Sequence, residues 1–105
     1  MNGMVKHLVF WTLKEQADGA SREENARRVK AALEGLAGRI PGLLELEVGI
    51  DFSRGEASYD VALSSTFADR AALDAYQAHP EHRAVADLIG RVRERRAVVD
   101  YETGS

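Results

Sequence analysis

The chain of 105 residues has no cysteine, few prolines, no long apolar run and no excess of basic residues. Without cysteine there is no disulfide framework, which fits a reducing compartment such as the cytoplasm. The most apolar N-terminal run, residues 8–13, is too short for a signal-peptide core or a membrane span, so we interpret it as a strand. Fourteen basic and 17 acidic residues give a formal charge of −3. This argues against nucleic acid or an anionic membrane as the main partner.

The composition is that of an ordinary globular protein. Apolar residues make up 45% of the chain and charged residues 30%, which are typical proportions. A chain of this length can form a single hydrophobic core, so we expect one domain over residues 1–105.

The segment from Met4 to Leu13 alternates in the manner of a β-strand. One face carries Val5, His7, Val9, Trp11 and Leu13, and the other carries Met4, Lys6, Leu8, Phe10 and Thr12. Both faces are largely apolar and need cover, which predicts a central strand of a sheet.

A capping box marks the start of the next element, with Ser21 at the N-cap and Glu24 at the third helical position. Apolar residues then recur at spacings of three and four, as one helical stripe: Ala26, Val29, Leu33, Leu36 and Ile40. We therefore predict a helix that runs as far as Pro41-Gly42.

Three further strands are predicted. Residues 43–52 alternate between an acidic face and a face expected to be buried, formed by Leu44, Leu46, Val48, Ile50 and Phe52. After a turn at residues 53–56, Tyr59 to Phe67 should pair back as a hairpin. Ala97 to Tyr101 is expected to form a last short strand.

The most unusual stretch is Tyr76 to His82, which places a tyrosine and two of the three histidines within seven residues. Proline disfavours helix at the preceding residue and suits the first helical position. One helix, capped by Asp69, should therefore end near Ala78, and another should begin at Pro80. This break would let two helices direct polar groups to one place. The arginines at residues 91–96 are expected to complement the end of the second helix and stay in water.

The predicted order is β-α-β-β-α-α-β, a ferredoxin-like α+β arrangement with a four-stranded antiparallel sheet and helices on one face. The other face still contains Met4, Leu8 and Phe10. A second copy of the chain would hide such an apolar face most simply. We therefore predict a symmetric homodimer in which the two sheets pack face to face.

Several pieces of the sequence, in order, resemble the stress-responsive dimeric α/β-barrel (Dabb) family. They are Met4-Val5-Lys6-His7, Gly49-Ile50-Asp51, Tyr59-Asp60, Phe67, Leu73 and the Tyr-x-x-His-Pro-x-His motif of Tyr76 to His82. The resemblance spans residues 4–101 and implies a dimeric α/β barrel that needs neither a metal nor an organic cofactor.

In this family a plant polyketide cyclase forms olivetolic acid by an aldol cyclisation. The tyrosine and second histidine of its motif act together, which by resemblance assigns catalytic roles to Tyr76 and His82. The histidine of its first strand, matched here by His7, lines the same cavity. Val61 stands where that cyclase has a histidine, and Trp11 adds bulk on the pocket side. The same substrate is therefore not implied.

On this fold His7, Tyr76 and His82 should converge on an apolar pocket between helices and sheet, the usual form of a small-molecule site. The other expected substrate-binding residues are Val9, Trp11, Val29, Leu33, Val61, Leu63, His79, Val85 and Leu88. The leading hypothesis is proton transfer next to a carbonyl of a small aromatic or polyketide-like ligand. His82 would be the general base, Tyr76 would donate to the enolate oxygen, and His7 would orient the substrate.

Other functions remain open at this stage. In a non-catalytic stress-response or ligand-binding dimer, His82 would stabilise local structure and Tyr76 would simply pack. A metal site formed by His7, His79 and His82 is disfavoured because Pro80 places His79 outside the helix. A heme-degrading monooxygenase role would rest on fold analogy alone.

Overall fold

The computed structural model describes residues 3–103, which form a four-stranded antiparallel sheet with helices packed on one face. The elements are β1 (Val5–Leu13), β2 (Gln16–Ala17), β3 (Ala20–Ser21), α1 (Arg22–Glu34), β4 (Leu43–Ile50), β5 (Val61–Phe67), α2 (Arg70–Ala78), α3 (Pro80–Val92) and β6 (Arg93–Glu102). The sheet order β4-β5-β1-β6 makes β1 central, as expected. The ferredoxin-like α+β fold is thus confirmed, with the β2–β3 hairpin as an unpredicted addition.

The two faces of β1 differ in burial as the alternation predicts. Its odd-numbered residues, from Val5 to Leu13, are all buried, and its even-numbered residues are partly exposed. The buried face packs with residues of α1, β5 and the helix pair in one core. The core therefore lies between the helices and a single face of the sheet. None of the helices within residues 3–103 has the length and apolarity needed to span a membrane.

The start of α1 is as predicted, but its end is not. The Ser21 hydroxyl accepts from the Glu24 N–H, and the Glu24 carboxylate accepts from the Ser21 N–H, each at 3.2 Å. The helix then ends at Glu34, well before Pro41. Leu36 and Ile40 are still buried, but they lie in turns. A helix and the turns that follow it can bury residues at the same spacing, so the apolar stripe does not mark where the helix stops.

The prediction of one fully buried face on β4 is wrong. Leu44 is 53% exposed, Ile50 40% and Phe52 94%. Leu43 pairs with Phe67 and Glu45 with Thr66, so the strand carries a bulge at its start. The extra residue of a bulge is left unpaired, so Leu43 rather than Leu44 lies opposite Phe67, while Val48 farther along the strand is buried as predicted. Phe52 lies beyond the end of the strand.

The break between α2 and α3 forms where it is predicted. The Asp69 carboxylate accepts from the Ala72 N–H at 2.8 Å and caps α2. His79 ends α2 and is also the N-cap of α3, where its Nδ1 accepts from the Glu81 N–H at 3.1 Å. Pro80 opens α3 at the position where its missing N–H costs nothing.

The last strand is longer than predicted, because β6 begins at Arg93, directly after α3. Of the arginines expected at the helix end, Arg91 lies in the last turn of α3, while the others belong to the strand. Trp11 pairs with Arg96 and His7 with Asp100. Because paired residues point to the same face, Arg96 and Asp100 lie on the helix side of the sheet.

Candidate functional site

A cavity of about 300 Å³ lies between the central strand and the helices. Its wall is formed by His7, Val9, Trp11, Leu33, Leu63, Tyr76, His82, Ala86, Ile89, Gly90, Arg93 and Arg96. The volume is at the small end of the range for ligand pockets. An apolar cavity with a few convergent polar groups is thus present at the predicted place.

The structure brings most of the predicted site residues together. Those on the wall are His7, Val9, Trp11, Leu33, Leu63, Tyr76 and His82. Val29 and Val61 are instead fully buried in the core. Val85 and Leu88 pack against the core without lining the cavity, because α3 presents to it the face that carries His82, Ala86, Ile89 and Gly90.

His79 is also absent from the cavity wall. Its ring is engaged in capping α3. Among residues 3–103 there is no group of three or more histidine, aspartate or glutamate residues placed to hold a metal ion. The predicted substrate contact of His79 therefore has no support from its position.

Tyr76 and His82 form a side-by-side pair at the helix break. Their ring centroids are 4.2 Å apart and the ring planes are inclined at 45°. The hydroxyl of Tyr76 and Nδ1 of His82 are both buried and have no hydrogen-bond partner among residues 3–103. Leaving a buried polar atom unpaired costs about 1–3 kcal/mol, and native proteins contain few such atoms. Two of them beside one cavity make this part of the wall a candidate site for polar contacts with a ligand.

Burial sets the protonation states of this pair. It raises the pKa of Tyr76 to about 12, so the phenol keeps its proton at neutral pH. It also lowers the pKa of His82 below 6.5, with the charges of His7 and Arg96 acting in the same direction and the Gln77 backbone opposing them. The pair thus offers a hydrogen-bond donor beside a neutral imidazole, which is what acid–base chemistry at neutral pH requires.

A second histidine lies next to this pair and has a carboxylate partner. Nδ1 of His7 lies 2.5 Å from Oδ1 of Asp100. The His7 ring is buried and meets Tyr76 edge to face at 6.2 Å. The Asp100 carboxylate can accept a hydrogen bond from Nδ1–H of His7. The arrangement fixes the orientation of His7 on the cavity wall.

Sequence reasoning missed Asp100, Arg93 and Arg96. The sequence placed Asp100 in the predicted last strand. Its pairing with His7, however, depends on the register between β1 and β6, which the sequence alone does not give. The arginines were assigned to a helix end, so their approach to the cavity was not foreseen.

Comparisons with known proteins extend over nearly the whole chain. An uncharacterised protein of Streptomyces coelicolor is 35% identical over 102 residues, which cover 94% of this chain and 99% of that protein. A crystal structure of a dimeric protein of unknown function from Bacteroides fragilis, with a ferredoxin-like fold, is 36% identical with a TM-score of 0.81. The aligned region covers 95% of this chain and 96% of the Bacteroides chain.

The structure of hydroxynitrile lyase from Passiflora edulis is similar to this chain with a TM-score of 0.83. The aligned region covers 99% of this chain and 96% of the Passiflora chain, at 22% identity. This similarity shows the fold alone. Residues 5–103 match the family described as Stress responsive A/B Barrel Domain, or Dabb. The chain therefore belongs to the Dabb family.

Proposed function

We propose that this protein is a cofactor-independent enzyme that catalyses proton transfer next to a carbonyl, as an aldol-type cyclase or lyase does. The observation that carries the proposal is the pair of Tyr76 and His82, each with an unpaired buried polar atom, on the wall of one apolar cavity. Its two members have the protonation states that the reaction needs.

The chemistry assigns one step to each group. The neutral imidazole of His82 takes a proton from the carbon next to the substrate carbonyl, and the electrons of that C–H bond form an enolate. The enolate oxygen accepts a hydrogen bond from the Tyr76 hydroxyl. The enolate carbon then either takes a proton back or bonds to a second carbonyl carbon, whose oxygen receives the proton from the His82 imidazolium. Each such group typically contributes roughly 10²–10⁴-fold to the rate.

His7 has a positioning role in this proposal. Asp100 holds its Nδ1, which leaves Nε2 to accept from a substrate hydroxyl. The apolar wall, which includes Trp11, supplies the rest of the binding surface. A cavity of about 300 Å³ suits a substrate about the size of one substituted aromatic ring.

The Passiflora enzyme bears a lyase name on the same fold, which supports the view that this fold can carry such chemistry. The remote identity makes this an argument about the fold only. The chemistry proposed for this chain therefore depends on its own Tyr76 and His82.

We further propose that the working form is a homodimer. The Bacteroides relative is dimeric, and the sheet face opposite the helices leaves Met4, Val99 and Tyr101 between 46% and 53% exposed. An apolar groove of about 580 Å³ that includes Phe10 and Phe52 lies beside this face. A self-complementary sheet face of a second copy would cover such a surface.

The experiment that tests the enzyme proposal measures proton abstraction directly. The protein is incubated in D₂O with small aryl ketones, beginning with phenylacetone, and deuterium uptake next to the carbonyl is followed by NMR. We expect His82→Ala and Tyr76→Phe each to lower the catalysed rate by at least about 10²-fold while circular dichroism shows a folded protein. Arg83→Gln is the control, since Arg83 lies on α3 but not on the cavity wall.

Equal rates in all four proteins would remove the catalytic assignment. If exchange is undetectable and the ketones still raise the melting temperature saturably, the cavity binds ligands without turnover. That result would support the alternative of a non-catalytic binding dimer.

A further inference from the structure

Arg93 and Arg96 line the same cavity as Tyr76 and His82. They reach it from the first residues of β6, where Arg96 is paired with Trp11 on the helix side of the sheet. The charge of Arg96 is also felt at the His82 imidazole. Both residues are therefore part of the cavity wall, although each is also exposed to solvent.

These two arginines have no carboxylate to neutralise them. Arg91, just before them, pairs with Asp18 at 3.2 Å. Neither Arg93 nor Arg96 forms an ion pair within residues 3–103, and the wall of the cavity contains no acidic residue. The nearby Asp100 is held by His7. In a chain with a formal charge of −3, the cavity is thus locally cationic.

We propose that the ligand of this site is a small organic carboxylate, with its carboxylate held by Arg93 and Arg96 and its apolar body against the cavity wall. The inference rests on the proposed function for the further statement that this ligand is the substrate. A guanidinium group donates two parallel hydrogen bonds to a carboxylate, and an apolar surrounding strengthens them.

The other residues of the cavity wall argue against a bare inorganic anion as the ligand. Val9, Trp11 and Ile89 offer an apolar surface that an inorganic anion would leave uncovered. A carboxylate that carries an aryl or alkyl body covers this apolar surface. The apolar body and the anion are thus recognised by different parts of one cavity.

The test is isothermal titration calorimetry of the full chain with matched pairs of probes, phenylacetate against phenylacetamide and hexanoate against hexanamide. Inorganic phosphate is the third probe. We expect at least one carboxylate to bind about tenfold more tightly than its amide, because hydrogen bonds to charged groups contribute that much or more. The advantage should shrink as salt is raised.

Variants assign the effect to residues. Arg93→Gln and Arg96→Gln should each weaken carboxylate binding about tenfold and leave the amide unchanged. Arg93→Lys and Arg96→Lys keep the charge but lose the paired donors, so their loss should be smaller. Arg83→Gln removes the same charge from the outside of α3 and should change neither probe. Circular dichroism verifies that each variant is folded.

Equal affinity for carboxylate and amide, insensitivity to both arginine substitutions, or no binding of any probe would overturn the inference. Phosphate binding as tight as phenylacetate, with the same arginine dependence, would overturn the organic carboxylate in favour of a bare anion site. Arginine-dependent carboxylate binding without any deuterium exchange supports the binding site and rejects the enzyme proposal. Deuterium exchange that depends on His82, in a protein that shows no preference for carboxylate over amide, supports the enzyme proposal and rejects the carboxylate site.

Discussion

Tyr76 and His82 share one environment but respond to it in opposite directions. Burial disfavours the charged form of each, which means the phenolate of Tyr76 and the imidazolium of His82. The pKa of Tyr76 therefore rises to about 12 and that of His82 falls. Both side chains are neutral at physiological pH, one as a donor and the other as an acceptor. A desolvated pair of this kind in a cavity is a candidate functional site.

This gives a pH dependence with a definite sign. The catalysed exchange needs neutral His82, so kcat/KM should rise with pH, with a midpoint below 6.5 because burial lowers the pKa of His82. Since the pKa of Tyr76 is about 12, no second limb is expected up to about pH 10. The measurement is the exchange rate of phenylacetone between about pH 5 and about pH 10, a range that spans the expected midpoint of His82 and stays below the pKa of Tyr76. A rise centred above pH 7 would contradict the role of His82 as the base.

The element that creates the site is the junction of α2 and α3. Tyr76 lies in the last turn of α2 and His82 in the first turn of α3. Pro80 and the His79 cap turn the chain between them, so residues six positions apart come into ring contact. In one continuous helix the two side chains would lie about 120° apart around the axis and about 9 Å apart along it. The break is therefore the structural cause of the pair.

Substitutions at His79 can distinguish its role as the N-cap of α3 from a role in catalysis. His79→Ala should lower the free energy of unfolding by about 1 kcal/mol, because the Glu81 N–H loses its acceptor. His79→Ser should restore most of this, since serine is a good N-cap residue. Neither change should alter exchange, because the His79 ring is not on the cavity wall. Urea unfolding and the exchange assay measure the two effects, and a loss of exchange at unchanged stability would instead place His79 in the site.

At the scale of the whole molecule, the sheet has one face in the core and one without cover. Two neighbouring residues of β6 lie on different faces of the sheet. Val98 pairs with Val9 and lies on the helix side, and Val99 pairs with Leu8 and lies on the opposite face. Their exposed fractions are similar, 42% and 53%. They offer a matched pair for testing which surface meets a second copy.

We expect Val99→Glu to shift the protein from dimer to monomer, because a face-to-face interface would bury the new carboxylate without a partner. Val98→Glu should leave the dimer intact. Sedimentation velocity at micromolar concentration measures both. Dissociation by Val98→Glu alone would show that the copies meet along the edge of β6 on the helix side.

Local signals in the sequence were sufficient for much of the fold. The alternation of Met4 to Leu13 gave the central strand, Ser21 and Glu24 gave the start of α1, and Pro80 gave the break. Each of these depends on residues close together in the chain, because periodicity, capping and the proline ring act over one or two turns. The same signals placed Tyr76 and His82 at one point.

Contacts between distant segments decided the rest. The pairing of β4 with β5 produced the bulge that leaves Leu44 exposed, and the register of β6 on β1 brought Asp100 to His7. The rotation of α3 over the sheet turned Ile89, rather than Val85 or Leu88, toward the cavity. The sequence by itself determined where elements begin, alternate and break, since those preferences are local. Register, bulges and helix rotation follow from how whole elements pack, so only the tertiary structure decided that Arg93 and Arg96 complete the wall.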